Sequence, residues 1–400
     1  MTTKIGIGFS NQTNSYRAAI EAARMAMELR GIERPDFALI FCSGKHNTTE
    51  LMKGLNEILP AVPKIGGSAY GVIANEFLGY DGFEVGVTIF SSDTIRFEIF
   101  AQPDINKGEY TAGCELGKQI KAAAQADSKA LLVFYDSSKQ QNPPMLNFAT
   151  YLFRGLEEYL PPNLVCAGGG FLSDMQLNTC YQFFNEEVFS QNAVAVLISG
   201  NCKMETTILH GCKPCSPYLT ITKAEGSIIY EIDDRPALDV IDELLGTGHG
   251  MNWKDFTSYV ILGVNHGDQF GDFDEKAYVN KVTLAVNEDN KSLIMFEPDL
   301  QDGVEVQLMT RSVDLNYIAT NVQDTKERIG NKNPIFSFYI DCAGRVKPFS
   351  GTDFEEAAEV QKVIGNEIPF MGFYSGVEVA KVGPNLQPLD WTGVLCMFGE

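Results

Sequence analysis

The sequence predicts an α/β protein built from repeated strand-helix-strand-helix-turn-strand units, whose mixed sheets are flanked by helices. Three observations carry this expectation. Short, buried-type apolar runs alternate with segments whose apolar residues recur every three to four positions. The same order of elements occurs three times along the chain. Each copy closes with a glycine-containing turn ahead of a last apolar strand. Apolar residues make up 44% and charged residues 21% of 400 residues, enough for two or three domains with a substantial core.

The first copy opens with the strand KIGIGFS at 4–10. A helix follows with Tyr16, Ile20, Ala23 and Met27 on one face. FALIFCS at 37–43 is a buried strand. The next helix starts at a capping box of Asn47 and Glu50 and buries Leu51, Leu55 and Ile58. PKIGGSAYG at 63–71 is the turn, and EVGVTIFS at 84–91 closes the copy.

The second copy runs from IRFEIFA at 95–101 through a helix carrying Ala112, Leu116, Ile120 and Ala123. ALLVFYDSS at 130–138 is its buried strand. A helix is expected with Asn142 as N-cap and Pro143 at its first position. VCAGGGFLSD at 165–174 is the turn, and AVAVLISG at 193–200 is the last strand.

The third copy is expected to start with VEVQLMT at 304–310, followed by a helix through Leu315, Ile318 and Val322. IFSFYIDCAGR at 335–345 is the buried strand. A Thr352/Glu355 capping box opens the next helix, FMGFYSGVEV at 370–379 is the turn, and TGVLCMF at 392–398 ends the copy. Between copies two and three lies a different segment, roughly 204–300. It holds a hairpin around Glu225-Gly226 and a helix from Pro236 to Gly246. A domain boundary is expected in the Gly-rich stretch 246–253.

Charge narrows the function classes. The net charge is -21, from 52 acidic and 31 basic residues, a field that repels phosphate backbones and anionic membranes. No nucleic-acid or membrane partner is expected. The N-terminus reads as a first strand, not a leader, and no apolar run is long enough for a membrane helix. Nine scattered cysteines do not resemble a disulfide framework, which points to a reducing cytoplasm.

Several motifs together resemble one family. HGCKPCSPYLTITKAEGSIIYEIDDRPALDVIDELL resembles the segment that closes the N-terminal half of FIST domains, and IGGSAYG and AGGGFLSD fit that half. FYIDCAGRV, FMGFYSGVEV and LDWTGVLCMF resemble the signature of the C-terminal half. The resemblance implies a FIST N-terminal domain over 1–246, with two repeat units plus the hairpin-helix segment. It implies a C-terminal domain over 247–400, with the third unit. It also implies an intracellular sensory module for a small ligand, and some such proteins bind haem and report nitric oxide. Val377-Glu378 stands where the family usually has Gly-Glu, and Cys215 where an aliphatic residue is usual. No kinase, cyclase or F-box segment is present, so output would pass to a separately encoded signalling partner.

The candidate site is assembled from the three glycine turns. Gly66, Gly67 and Ser68 come from the first, Gly169, Gly170 and Asp174 from the second, and Tyr374, Ser375 and Glu378 from the third. Cys342 and Arg345 end the strand beside the third turn. The planar Arg345 fork suits a carboxylate, while Asp174 and Glu378 suit an ammonium group, so an amino acid or small carboxylate is the expected ligand. A salt bridge within the protein is the competing use of Arg345. Cys342 lacks a nearby His base, Ser375 is unactivated, and no P-loop, HExxH or GxSxG is present, so no catalysis is expected. The alternatives kept open are a haem-based nitric-oxide sensor and a Cys- or Glu-dependent hydrolase. Haem would need an axial ligand, for which His210 and His266 are the candidates among the four histidines. Cys212 and Cys215 form a CxxC flanked by prolines. A redox pair at a helix N-terminus, a zinc site with Cys202 and His210, a haem c attachment, which would need His where Ser216 stands, and a plain bent connection are its readings, and the last is preferred.

Overall fold

The computed structural model describes residues 3–246, 260–312 and 314–400. The stretch 247–253, with His249, lies outside the described residues. Unit 1 runs β1 (Lys4–Ser10), α1 (Ser15–Glu28), β2 (Phe37–Ser43), α2 (Thr48–Ile58), β3 (Lys64–Ala69), β4 (Gly71–Ala74), β5 (Phe77–Gly79) and β6 (Val85–Ser91). Unit 2 runs β7 (Ile95–Gln102), α3 (Glu109–Ala123), β8 (Ser128–Asp136), the short β9 (Ser138–Gln140) and β10 (Met145–Leu146), and α4 (Ala149–Glu157). It ends with β11 (Val165–Phe171), β12 (Gln182–Phe184), β13 (Glu187–Phe189) and β14 (Ala193–Gly200).

Unit 3 begins with β15 (Lys203–Leu209) and is then interrupted. The insertion holds β16 (Cys212–Pro214), β17 (Leu219–Glu225), β18 (Ile228–Ile232), β19 (Arg235–Pro236), α5 (Ala237–Leu245), β20 (Ile261–Asn265), β21 (Tyr278–Asn287), β22 (Ser292–Met295) and β23 (Glu305–Arg311). Unit 3 resumes with α6 (Asn316–Ile329), β24 (Pro334–Cys342), α7 (Lys347–Ser350) and α8 (Glu356–Ile364). It closes with β25 (Phe370–Ser375), β26 (Val377–Val382), β27 (Asn385–Leu389) and β28 (Gly393–Gly399).

The strand orders reveal the repeat. They are β1-β6-β2-β3, β7-β14-β8-β11 and β15-β28-β24-β25 in the three units, each with one parallel pair, at β2/β3, β8/β11 and β24/β25. Each unit then sends a hairpin arm into another unit's sheet. Arm β12–β13 pairs with β3, arm β26–β27 with β11, and arm β4–β5 with β25. The three sheets are thus closed into a ring. Each arm turns on a residue in the left-handed region, Asn75, Asn185 or Gly383, the residue types that tolerate it. Equivalent glycines let the parallel pairs close. A Cβ on Gly66, Gly168 or Gly372 would lie 1.7, 2.1 or 2.0 Å from the carbonyl oxygen of Ile40, Val133 or Tyr339.

The sheets enclose a common aromatic core. Phe41 stacks on Phe373 at 4.7 Å, and Phe134 meets both edge-on at 5.5 and 5.6 Å. Helices cover the outer faces, each pair with its own apolar cluster. The insertion has a separate core around Ile221, Ile241 and Leu293.

Four expectations need correction. VEVQLMT is β23, in the sheet of the insertion. The first strand of unit 3 is β15, antiparallel to β28 as β1 is to β6 and β7 to β14. The insertion separates that strand from its helix, so adjacency in sequence misleads. Asn142 and Pro143 precede the hairpin strand β10, and α4 starts at Ala149 with Phe148 as N-cap. Thr352 does not cap α8, whose N-cap is Glu355, without a side-chain hydrogen bond. The glycine turns are buried strands whose glycines are needed for close packing. The Glu225-Gly226 hairpin, helix α5 ending at Gly246, and the Asn47 cap on Glu50 N are as expected.

Candidate functional site

The ends of the three glycine strands meet where the arms cross between units. Ser68 Oγ lies 2.8 Å from Ser173 Oγ, Gly376 N donates to Gly170 O at 2.9 Å, and Tyr70 N donates to Tyr374 O at 3.3 Å. The backbone here is committed to strand pairing. Gly66 and Gly67 lie opposite Phe183 and Gln182 of β12, and Gly169 and Gly170 opposite Glu378 and Val377 of β26. These strands therefore do not leave their backbone amides open towards a ligand. Ser68 N donates to Tyr181 O and Ser68 Oγ accepts from Tyr181 N. Asp174 stands apart in a half-buried turn, accepting from Gln176 N, Asn178 N and Asn178 Nδ2.

The third strand carries a different arrangement. Glu378 and Ser375 are fully buried, with Ser375 Oγ 2.6 Å from Glu378 Oε1 and 3.0 Å from the carbonyl of Asp341. Burial holds the Glu378 carboxyl well above the usual range; the bond to Ser375 opposes this, while Asp390 and Asp341 add to it. One hydroxyl proton cannot serve both neighbours of Ser375. A protonated Glu378 resolves the pattern: its O–H donates to Ser375 Oγ, whose own proton goes to Asp341 O. Ser375 Oγ is then engaged on both sides, by Glu378 and by the carbonyl of Asp341. Glu378 Oε2 has no partner among the described residues.

Arg345 is also buried, and its fork is used internally. Nη2 pairs with Glu356, and Nη1 donates to Leu209 O and, at 3.2 Å, to Trp391 O. Nε lies 3.5 Å from Asp341 Oδ1. Of the two uses foreseen, the structure supports the internal ion pair. Cys342 is half-buried, and burial followed by Glu378 pushes its thiol up, away from thiolate character. Tyr374 points to the helix side of the sheet, within 3.5 Å of Glu355 Oε2, and Phe373 lies in the aromatic core.

Both ring nitrogens of His210 are occupied. Nδ1 accepts from Cys212 N at 2.9 Å and Nε2 faces Glu275 O at 3.0 Å. An axial bond to haem would break one of these. His266 is exposed beside Gly383, in the loop that follows β20. Cys212 and Cys215 are free thiols on the strand and turn leading away from His210, the first buried and the second exposed.

Sequence reasoning missed the outer rim. Tyr135 Oη and Ser137 Oγ are buried as a pair beside Gly170, where a Cβ would lie 2.0 Å from Ser137 Oγ, and among the described residues neither has a partner outside the pair. The insertion adds Lys281, paired with Asp299 and donating to Pro388 O at 2.6 Å, with Asp390 accepting from Val282 N. Burial pushes Asp390 up to about 6, against the pull of Lys281. The one sequence signal was Lys281, a charge inside the strand YVNKVTLAVN.

Two family models match almost end to end: FIST N domain over residues 36–235 and FIST C domain over 237–381. The chain belongs to the FIST family. FIST domains are associated with sensory and small-ligand-binding roles, and in this FIST protein the parts matched by both models contribute to the same ring of sheets. Among similar proteins, MJ1623 of Methanocaldococcus jannaschii is 23% identical over 323 residues, covering 77% of this chain. The chain spans 60% of the length of that relative. Rv0628c of Mycobacterium tuberculosis is 21% identical over 99% of both chains. Among solved structures, a cyanuric acid hydrolase aligns over 100% of both chains at 9% identity and TM-score 0.39. A chorismatase aligns over 100% and 99% at 7% identity and TM-score 0.35.

Proposed function

We propose that this FIST protein is a non-catalytic sensor of a small polar ligand in the cytoplasm, signalling to a separate partner. The ligand contacts the buried carboxyl of Glu378. One observation supports this reading: Glu378 Oε2 is a fully buried polar atom without a partner among the described residues, on the arm of unit 3 opposite Gly169 of unit 2. Buried polar atoms are nearly always hydrogen-bonded, and an exception asks for a role. With its proton given to Ser375, Glu378 offers Oε2 as a buried acceptor, which suits a ligand ammonium or amide N–H. The engaged Ser375 and the raised Cys342 thiol favour binding over chemistry. A cytoplasmic setting is supported by nine free cysteines, and no helix among the described residues is long and apolar enough to cross a membrane.

Thermal-shift screening against the amino acids and short carboxylates tests this. The expected result is a ligand that stabilises the wild type and loses about 1.5–3 kcal/mol of binding in Glu378→Ala, as for a lost charged or strongly polar hydrogen bond. Equal stabilisation of both proteins, or none of either by any of these compounds, overturns the proposal.

A further inference from the structure

A cleft of about 530 Å³ opens at the seam between β1 and the arm β4–β5. Its floor is apolar: Ile5, Ile7 and Phe9 on one side, Ala74 and Phe77 on the other. Phe9 and Phe77 stack across the seam at 4.4 Å with planes 11° apart. Leu29, at the end of α1, leaves 64% of its surface exposed at the rim. Next to it stands Arg30, exposed, with no hydrogen bond or ion pair among the described residues. The opposite lip carries Glu76, a carboxylate whose Oε1 accepts from Asn366 Nδ2 at 3.1 Å, so the positive end of the cleft is the Arg30 side.

The ring provides an internal comparison. In unit 3 the matching arm, β26–β27, is covered by the insertion. β21 packs against β27, and Val279, 1% exposed, joins the common core beside Val382 and Leu389. Among the described residues no insertion covers the unit 1 seam; Ile5, Ile7 and Ala74 are buried there, while Phe9 and Phe77 are half-buried and Leu29 is exposed. Apolar surface of this kind gains about 25 cal/mol per Å² when removed from water. The volume falls in the range of small-molecule sites.

We propose that this cleft binds an amphipathic anion, a straight-chain or aryl carboxylate. The apolar part lies over the Phe9–Phe77 pair and Leu29, and the carboxylate takes the Arg30 fork in a bidentate pair. The chain has 31 basic residues against 52 acidic ones, so an unpaired arginine over an apolar floor is a selective feature. The site is separate from Glu378 and stands whether or not that reading holds.

Isothermal titration with decanoate, below its micellar concentration, tests the proposal on the full chain. Arg30 and Leu29 are exposed, so Arg30→Gln and Leu29→Ser keep the fold. The expected result is saturable decanoate binding, weakened about tenfold or more in Arg30→Gln, which is the scale of a lost charge-assisted hydrogen bond. Leu29→Ser also weakens it, and decyltrimethylammonium does not bind the wild type. Absence of saturable binding, an unchanged affinity in Arg30→Gln, or equal binding of the cationic amphiphile would overturn it.

Discussion

Glu297 of the insertion accepts from Thr150 N at 2.9 Å and from Thr150 Oγ1 at 2.7 Å, and Ala149 N donates to its other oxygen at 3.0 Å. It is the cap that α4 does not find locally, because Phe148 at the N-cap has no acceptor. Glu297→Ala leaves those donors buried without partners. The expected cost is about 1–3 kcal/mol in urea unfolding. Amide exchange should accelerate at 149–152 ahead of the rest of unit 2. Unchanged exchange there would show that the carboxyl is not the cap.

The buried carboxyls set a pH dependence. Burial pushes Asp136, Asp341 and Asp390 up to about 6, and burial with Asp299 pushes Glu297 up to about 8 against Thr150 and Lys281. Each raised group keeps its proton in the folded chain over a range where the unfolded chain has released it. Stability therefore falls as pH rises, by about 1.4 kcal/mol per unit for one such group, from about 4 to 6 for the aspartates and on to 8 for Glu297. The urea midpoint should drop between pH 5 and 8, and Glu297→Gln should flatten the part from 6 to 8. A midpoint that rises over that range would contradict these assignments.

Glycine substitutions separate packing from conformation. Alanine at Gly66, Gly168 or Gly372 places Cβ within 1.7–2.1 Å of a strand carbonyl, so parallel strands must part. Losses above about 4 kcal/mol, or no soluble protein, are expected. At the hairpin Gly226, φ is 59° and nothing lies within 4 Å of the added carbon, so alanine there costs only about 1 kcal/mol. Comparable losses at all four positions would dismiss the close-approach argument.

Arg345→Lys tests the internal role of the guanidinium. A single ammonium cannot reach Leu209 O, Trp391 O and Glu356 together. The expected destabilisation is about 3–5 kcal/mol, as for a broken buried pair. A variant as stable as wild type would return Arg345 to the list of candidate ligand contacts.

The strands and most helices were legible because their periodicity is local. Ala18, Ala22 and Ala26 on α1, or the unbroken run FALIFCS, report burial directly. The start of unit 3 was hidden because β15 and α6 are separated by the whole insertion, and VEVQLMT alternates as well as KMETTIL does. Arm exchange was hidden for another reason: pairing between β4 and β25 leaves no mark at short sequence distance. In the site, Glu378 and Ser375 were found from a turn-like motif. Their neighbours Tyr135, Ser137 and Glu297 were not, because each looks like an ordinary strand or loop residue until the ring closes.

The exchange of arms also bears on how the chain is made. Arm β4–β5 starts at Gly71 and is made long before its host strand β25, which begins at Phe370. Until β25 and β26 are made, the hairpin β4–β5 and the β11 edge of the unit 2 sheet have no docking partner. Contacts of such long sequence separation are slow to form, and unpaired edges in the waiting chain are prone to aggregate. Synthesis, not only the finished fold, therefore puts the ring at risk, and its last thirty or so residues act as the clasp.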